Sequence, residues 1–215
     1  MVKNNLPRIG VIGAGRLGTA LAKQSLSVGY EVRISNSRGP ESLELLLSVL
    51  LPGAIAATID ETISKSDIVI LAFPLRYYKS LTPQLFIGKI VIDAMNYWAP
   101  VEGDIAEFAD ATITSSEMVQ QYLHDAHVIK TLNHIAYNEI EEHALPLQSK
   151  GYRAIGIAGD DRDAKLTAMA YVEALGFDGV DLGVLKNGAL LQPDTRLFNA
   201  RMSADSMKSQ TAVRI

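Results

Sequence analysis

Short apolar runs alternate with amphipathic stretches along almost the whole chain. The apolar runs are rich in β-branched residues and are bounded by glycine or polar residues, which predicts buried strands. These predicted strands lie at Arg8–Gly13, Glu31–Ser35, Ile55–Thr58, Asp67–Phe73, Lys89–Ala94, His127–Leu132, Ala154–Ala158 and Val180–Leu182. The segments between them are long enough for crossover connections, which indicates parallel pairing with helices on both faces of the sheet.

Apolar residues at helical spacing and local start and stop signals mark several helices. They are predicted over Arg16–Val28, Glu41–Leu50, Thr114–His124 and Asp161–Leu175. Thr114 and Glu117 have the spacing of a capping box, and either Asp160 or Asp161 suits the N-cap of the last helix. The polar tail after Phe198 is compatible with a helix, a partner-docking arm or a frayed end.

The element order predicts an α/β fold, a Rossmann doubly wound and mostly parallel sheet with a small C-terminal α/β lobe. The strict alternation weakens between Ala111 and Val128. We therefore expect a first domain over residues 1–125 and a smaller lobe over residues 126–215.

Composition excludes several classes of function. With 20 Lys and Arg against 24 Asp and Glu, the net charge of −4 lacks the basic field of a nucleic-acid-binding protein. The absence of cysteine excludes disulfides, thiolate metal sites and cysteine nucleophiles. His124 and His127 lack a third ligand in pattern, so no metal is expected. No segment has the apolar length of a signal-peptide core or a membrane span, which predicts a cytoplasmic protein without a membrane partner.

The residues Gly13-Ala14-Gly15-Arg16-Leu17-Gly18 form a complete G-x-G-x-x-G motif. The motif leaves an apolar strand and opens an amphipathic helix, which is the context that a dinucleotide-binding loop requires. In such a loop Gly13 allows the tight turn, Gly15 lets the backbone approach the pyrophosphate, and Gly18 lets the helix pack closely on the strand. The N–H groups and the positive dipole end of the helix hold the phosphates. The motif therefore predicts a dinucleotide site rather than a glycine turn that binds nothing.

The end of the second predicted strand distinguishes NAD from NADP. Proteins that bind NAD usually carry an acid about 20 residues past the motif, which binds the ribose hydroxyls. Here the strand ends in Ile34-Ser35-Asn36-Ser37-Arg38, without an acid. Arg38 can bind a 2′-phosphate through its charged guanidinium, and Ser37 adds a hydroxyl donor. NADP(H) is therefore predicted, against the alternative that Arg38 is a solvated loop residue.

Six segments together resemble one known family. They are Ile9–Gly18, Asn36–Glu41, Asp67–Pro74, Val91–Trp98, Ile129–Ile135 and Ile155–Asp161. The chain resembles, over nearly its whole length, the NADP oxidoreductase family typified by the NADPH-dependent reductase of the deazaflavin coenzyme F-420. That family also includes the cytoplasmic domains of membrane ferric reductases, so the resemblance leaves the electron acceptor open.

The resemblance implies direct hydride transfer from NADPH to a small planar acceptor such as a deazaflavin or a flavin, usually in a homodimer whose C-terminal lobe closes over the nicotinamide. The implied cofactor-binding residues are Gly13, Ala14, Gly15, Arg16 and Leu17 at the phosphates, Asn36, Ser37 and Arg38 at the 2′-phosphate and adenosine, Ala72, Phe73 and Pro74 beside the ribose and nicotinamide, and Ala94, Met95 and Asn96 at the nicotinamide itself. Ser42 stands where the family often has a further basic residue, which predicts a weaker NADP preference. Met202 and Met207 in the tail offer a dimer contact.

No acid–base dyad is predicted, because hydride transfer between planar groups depends on proximity, stacking and exclusion of water. Asn96, Tyr97 and Trp98 follow a strand end, where open α/β sheets bind ligands. Tyr97 and Trp98 either form the wall of an acceptor pocket or pack under the C-terminal lobe. Asn96 and His134 are the catalytic candidates. His134 either donates a proton to the acceptor or is a histidine satisfied by packing and backbone.

Two classes of function remain open at this point. The first is an NADPH-dependent oxidoreductase, and the second is an NADP-binding redox sensor that reports cofactor state to a partner without turnover. A short-chain dehydrogenase is excluded, since no tyrosine is followed by a lysine four residues later. A dehydrogenase of the β-hydroxyacid type is excluded because the chain is too short for the large helical second domain.

Overall fold

The computed structural model describes residues 6–108, 112–144 and 153–211. The strands are β1 (Ile9–Ile12), β2 (Val32–Ser35), β3 (Ile55–Ala56), β4 (Ile68–Leu71), β5 (Ile90–Asp93), β6 (His127–Lys130), β7 (Ala154–Gly159) and β8 (Asp178–Asp181). The α-helices are α1 (Arg16–Ser27), α2 (Glu44–Leu50), α3 (Ile59–Ser64), α4 (Ala99–Glu102), α5 (Ser115–Tyr122), α6 (Tyr137–His143), α7 (Arg162–Ala174) and α8 (Ala204–Thr211). Short 3-10 helices cover Pro40–Leu43, Leu75–Ser80, Pro83–Phe86, Ala106–Phe108 and Leu185–Leu191.

Within the described residues the strands form one eight-stranded sheet in the order β3-β2-β1-β4-β5-β6-β7-β8. All neighbouring strands are parallel except β6 and β7, which are antiparallel. The chain winds outward in one direction from β1 and in the other from β4, so the switch point lies between these two strands. This confirms the predicted α/β, doubly wound and mostly parallel sheet. The sheet continues from β5 into β6, and the division into residues 1–125 and 126–215 stays a prediction.

Strands β1 and β4 are apolar at every position because both faces of the sheet are covered there. In β4, Ile68 and Ile70 belong to the core layer on the α1 face, whereas Val69 and Leu71 belong to the layer that contains Phe86. Burying each of these side chains contributes about 1.5–3 kcal/mol to folding. The continuous apolar runs in the sequence are thus the signature of strands packed on both sides.

Capping side chains fix where α5 and α7 begin. Thr114 and Glu117 form the predicted capping box, each side chain accepting the other residue's backbone N–H. Asp161 is the N-cap of α7, since its carboxylate accepts the backbone N–H three residues on at 2.8 Å. Asp160 instead accepts the N–H of Leu185 at 2.9 Å. The sequence left this choice between the two aspartates open.

The segment predicted as a single helix over Glu41–Leu50 is divided. A 3-10 helix with Pro40 in its first turn precedes α2. The hydroxyl of Ser42 donates to the carbonyl of Gly39 at 2.7 Å, which holds this tighter first turn. The predicted helix is thus corrected to a 3-10 turn that begins at Pro40 and is followed by a shorter α-helix.

The tail after Phe198 folds back onto the sheet as α8, in the residues up to Thr211. Met207 is fully buried and packs with Val180 and Leu191 beside β7 and β8. Because it already belongs to this core, Met207 is not available as the suggested dimer contact. Residues 212–215 of the tail, and Ala111 at the predicted domain boundary, lie outside the described residues.

Candidate active site

The three motif glycines occupy three different environments at the end of β1. Gly13 has φ +113°, and a Cβ there would lie 2.3 Å from the carbonyl oxygen of Ala72. A Cβ on Gly18 would lie 1.9 Å from the carbonyl oxygen of Gly13, so α1 packs against the loop backbone itself. A Cβ on Gly15 would meet no atom within 4 Å. The loop therefore needs Gly13 and Gly18 in order to fold, and keeps a methyl-sized space above Gly15.

The space above Gly15 lies at the amino-terminal end of α1. Gly15 is the N-cap in an extended conformation, no side chain accepts from the first turn, and that turn holds no acid. The first N–H groups of a helix have no partner within the helix, and together with the dipole they favour an anion. These residues thus fit a dinucleotide pyrophosphate. The pyrophosphate would occupy the space above Gly15, which the side chain of any larger residue at position 15 would fill.

Hydrogen bonds of the Asn36 side chain stabilise the turn after β2. Its Oδ1 accepts the backbone N–H of Arg38 at 2.8 Å, and its Nδ2 donates to the hydroxyl of Ser42 at 2.9 Å. Ser42 therefore has a positioning contact in this turn. Ser37 and Arg38 are exposed beyond it. The guanidinium is free to bind a phosphate at the carboxyl end of β2.

One cavity of about 620 Å³ collects the residues predicted from three separate turns. The lining residues that were predicted from the sequence are Gly13, Ala14, Gly15, Asn36, Ser37, Arg38, Ala72, Phe73 and Pro74. Sequence reasoning missed five further lining residues, Ile12, Ile59, Tyr77, Ser80 and Leu81, which complete the walls. The only feature of the sequence that could have indicated most of them is their position shortly after the ends of β3 and β4. Arg38 is the one charged side chain among the described lining residues.

Five predicted cofactor residues lie outside that lining, namely Arg16, Leu17, Ala94, Met95 and Asn96. Arg16 and Leu17 are in the first turn of α1, and the Arg16 guanidinium lies over the ring of Tyr137, 5.5 Å from its centre. Ala94 and Met95 follow β5 and are buried at 1% and 2% exposure. These two residues belong to the core at the carboxyl end of β5, which lies next to the end of β4.

Asn96 is held by the end of the neighbouring strand. Its Nδ2 donates to the backbone carbonyl of Asn133 at 2.7 Å, and its Oδ1 accepts from the Asn133 amide at 2.8 Å. Asn133 also donates to the carbonyl of Leu191 at 2.8 Å. Between Lys130 and Asn133 the chain turns through Leu132, which has φ +61° although it is bulky and buried. Such a conformation costs about 1–3 kcal/mol, so the surrounding contacts impose it.

His134 is buried at 1% exposure, and its Nε2 accepts the backbone N–H of Gly156 at 3.1 Å. Burial first, and then the charges of Arg153 and Lys130, lower the pKa of His134 to about 3. The ring is therefore neutral at physiological pH and satisfied by backbone. These observations agree with the alternative in which His134 is satisfied by packing and backbone. The neutral ring carries no extra proton that it could donate to an acceptor.

A buried ion pair lies beneath the same strand ends and was not singled out from the sequence. Asp93 and Lys130 are cross-strand neighbours in β5 and β6, both with fully buried side chains 3.2 Å apart. Asp93 also accepts from the hydroxyl of Ser116 at 2.7 Å, and Lys130 donates to the carbonyl of Met95. Burial lowers the pKa of Lys130, and the carboxylate opposes that shift. The pair ties the end of β5 to β6 directly below Asn96.

A second cavity, of about 400 Å³, opens where the chain leaves β5. Tyr97 and Trp98 form one side of it, and Gln192 and Pro193 form part of the other. Tyr97 packs on Phe108 with ring centres 4.8 Å apart, while Trp98 is 50% exposed. Tyr97 and Trp98 thus line a cavity together with residues of the C-terminal part of the chain, and an acceptor pocket at this place stays a prediction.

Residues 8–97, from β1 to just beyond β5, match the model of a family described as NADP oxidoreductase, coenzyme F420-dependent. This segment is similar to that family. The family match supports NADP as the dinucleotide and oxidoreduction as the class of reaction. It does not specify the electron acceptor.

Two curated proteins illustrate the range of relatives. Metalloreductase STEAP3 of Rattus norvegicus is 27% identical over 188 residues, which cover 86% of this chain and 35% of that protein. A glycerol-3-phosphate dehydrogenase [NAD(P)+] of Agathobacter rectalis is 32% identical over 102 residues, covering 40% of this chain and 30% of that one. The chain spans about a third of the length of each of these relatives.

Solved structures share the fold over nearly the full chain. Hypothetical protein SMa0349 of Sinorhizobium meliloti superposes with a TM-score of 0.80 at 26% identity, covering 93% of this chain and 97% of that one. A proposed F420-dependent NADP reductase of Arthrobacter sp. FB24 gives a TM-score of 0.75 at 23% identity, covering 92% and 99%. The second likeness establishes the fold alone.

The residues that the structure describes contain neither a candidate metal site nor a candidate membrane-spanning helix. In that part of the chain no three His, Asp or Glu side chains are grouped so that they could hold a metal ion. Within the same ranges, no helix combines the length and the apolar character needed to cross a membrane.

Proposed function

We propose that this protein is an NADPH-dependent oxidoreductase that transfers a hydride between NADP(H) and a small planar acceptor such as a deazaflavin or a flavin. One observation supports this above the others. The space above Gly15, at an uncapped helix start, opens into the same cavity as the exposed guanidinium of Arg38. A pyrophosphate and a 2′-phosphate would thus be bound at opposite ends of one cavity.

NADPH, when bound, supplies a hydride carrying two electrons, and the acceptor completes its reduction with one proton from solvent. The residues of this chain bind and orient rather than exchange protons. The N–H groups that follow Gly13, at the start of α1, would bind the pyrophosphate, and Arg38 would pair with the 2′-phosphate. The N–H of Gly13 itself is used within the sheet, since it donates to the carbonyl of Ser35 at 2.9 Å. Asn96, immobilised by Asn133, limits the space at the end of β5. Holding two planar groups in reacting geometry is the principal contribution that such a site makes to the rate.

We also propose that residues 126–215 cover the nicotinamide bound by residues 1–125. The proposed covering is supported by two contacts that hold the second part against the first, the Asn96–Asn133 pair and the hydrogen bond from Gln192 to the hydroxyl of Ser115 at 2.9 Å. A homodimer and a cytoplasmic location stay predictions. Sedimentation of the purified protein with and without NADP⁺ would test the first.

The cofactor assignment is tested by substituting Arg38→Ala. Losing a charge-assisted contact of about 1.5–3 kcal/mol should weaken NADPH binding about tenfold to a hundredfold. NADH binding should change by less than about twofold, because NADH has no 2′-phosphate. Calorimetric titration with both dinucleotides measures this difference. Arg162→Ala, at the exposed first position of α7, is the matched control. Equal losses for NADPH and NADH would contradict the assignment.

The activity is tested by anaerobic NADPH oxidation with the deazaflavin coenzyme, followed through nicotinamide absorbance, with NADH beside it. Turnover with NADPH alone would support the acceptor and the dinucleotide together. Binding of NADPH, seen as a raised melting temperature, without turnover on deazaflavins, flavins or ferric chelates would favour the redox-sensor alternative.

A further inference from the structure

The helix α2 is apolar along almost its whole length, and yet it remains at the surface. Five of its seven residues are large and apolar. None of the seven, all of which the structure describes, is fully buried against the rest of the protein. Leu45 is 76% exposed, Val49 65% and Leu50 46%. A surface helix of a monomer normally turns such residues towards the core, so their exposure indicates a face that binds a partner.

The exposed residues form one continuous apolar face. Leu45 and Val49 lie one turn apart on α2, and Leu46 and Leu50 form the neighbouring row. Together with Ser42 they line a shallow groove of about 450 Å³. We refer to the four apolar residues of this groove as the α2 patch.

The α2 patch lies at one edge of the sheet. The helix leads from β2 into β3, and β3 is the first strand in the sheet order. Within the described residues no strand pairs with the outer edge of β3, and its Ile55 is exposed there. A second molecule can therefore approach the patch without displacing any described element of the fold.

The charges around the α2 patch favour a second copy of this chain over a lipid surface. No Lys or Arg occurs between Arg38 and Lys65, so this segment lacks the cations that hold an amphipathic helix on anionic lipid. The nearby acids Glu41 and Glu44 are both exposed and both precede the patch. When two copies pair with antiparallel α2 helices, apolar face meets apolar face and the acids of the two copies stay at opposite ends.

The area of the α2 patch is sufficient for such a dimer. At the observed exposures its side chains present on the order of 300 Å² of apolar surface, which is as large as the functional patches of typical monomers. Because interfaces are about 60% apolar, two such patches correspond to a total interface of about 1,000 Å². This is close to the smallest area of a specific protein–protein interface, so the dimer should dissociate on dilution.

We propose that the α2 patch is a self-association surface, on which a second copy of this chain packs its own α2 in antiparallel orientation about a twofold axis. Leu45 of one copy then lies opposite Val49 of the other. The α2 patch thereby provides the dimer contact that the buried Met207 cannot. This inference goes beyond the proposed function and does not depend on the cofactor or the acceptor.

Two variants and their mixture test the arrangement. Leu45→Glu and Val49→Lys each place an unpaired charge in the apolar contact, which should weaken self-association at least about tenfold. In an equimolar mixture the carboxylate of one variant meets the ammonium of the other, and association should be at least about tenfold stronger than for either variant alone. Sedimentation of the full chain at about 1 to 100 µM compares the measured mass with the 23.3 kDa of one chain.

Leu166→Glu is the matched control. Leu166 on α7 is also exposed, but it lies outside the α2 patch, so the same charge should leave self-association unchanged. The two patch positions are exposed as well, and in dilute solution each variant should melt within about 2 °C of the wild type. A loss of association with an unchanged melting temperature therefore reports the contact and not the fold.

Four results would overturn the proposal. The first is a wild type that sediments as a single chain at about 100 µM. The second is a dimer that survives both substitutions, because its contact then lies elsewhere. The third is loss of association in both variants without recovery in the mixture, which excludes the antiparallel pairing. The fourth is binding of a single wild-type chain, but not of Leu45→Glu, to vesicles of phosphatidylserine, which would assign the patch to a lipid surface.

Discussion

A single added methyl group should separate cofactor binding from folding at the glycine loop. In Gly15→Ala the new Cβ meets no protein atom within 4 Å, and the backbone at φ −79° and ψ −173° is one that alanine adopts. In Gly18→Ala the Cβ would lie 1.9 Å from the carbonyl oxygen of Gly13, a distance that forces the helix or the loop to move. The first methyl occupies the proposed pyrophosphate cradle, and the second occupies the protein core.

The two expected magnitudes follow from these distances. Gly15→Ala should keep or raise the stability of the ligand-free protein, by up to about 1 kcal/mol, because alanine restricts the unfolded chain. The substitution should weaken the binding of NADPH at least about tenfold, since one displaced N–H contact to a phosphate is worth about 1.5–3 kcal/mol. Gly18→Ala should cost about 1–3 kcal/mol from overpacking, which corresponds to a melting temperature lower by roughly 2–10 °C.

Thermal denaturation without ligand, followed by calorimetric titration with NADPH, measures both effects on the same samples, and each variant serves as the control for the other. Wild-type affinity for NADPH in Gly15→Ala would refute the placement of the pyrophosphate. An unchanged melting temperature in Gly18→Ala would refute the close approach of α1 to the loop.

Two predictions concern the groups buried beneath the site. Lys130→Met leaves the carboxylate of Asp93 buried without its cation and should lower the free energy of unfolding in urea by about 3–5 kcal/mol. Lys165→Met, whose partner Asp181 has a side chain 47% exposed, should cost less than about 1 kcal/mol, and similar costs for the two would contradict the buried pair. For His134, burial lowers the folded pKa from 6.5 to about 3, so the unfolded state binds a proton more readily. The contribution of the neutral His134 ring to the free energy of unfolding is complete above about pH 6.5. It is lost as the pH falls towards 3, at up to about 1.4 kcal/mol per pH unit. His134→Gln should flatten the pH dependence of stability in that window, and an acid limb as steep as that of the wild type would show that another group titrates.

The elements and the phosphate loop could be predicted from the sequence because their causes are local. Alternating β-branched runs specify buried strands, and the capping box at Thr114 specifies a helix start within four residues of chain. The glycine motif carries its own geometry, since the turn at Gly13 and the packing of Gly18 involve neighbouring residues. Arg38 was predicted at the site for the same reason, because the end of a second strand next to the first has a fixed place in this fold.

The contacts at the acceptor side could not be predicted in this way, because they join residues far apart in the chain. Asp93 and Lys130 meet only once β5 and β6 pair, and Asn96 and Asn133 meet one step beyond that pairing. The assignment of His134 needed its burial, which no neighbouring residue reveals.

The sequence by itself determined the fold class and the geometry of the glycine loop, and it predicted NADP(H) as the dinucleotide, since each depends on short-range patterns or on a few residues at a strand end. Only the tertiary structure decided which polar residues are structural and which face a cavity. Burial and charge pairing depend on what packs against a side chain. The cavity beside Trp98 gains its carboxylate from Asp194, almost a hundred positions further along the chain, only after the C-terminal part has folded against α5.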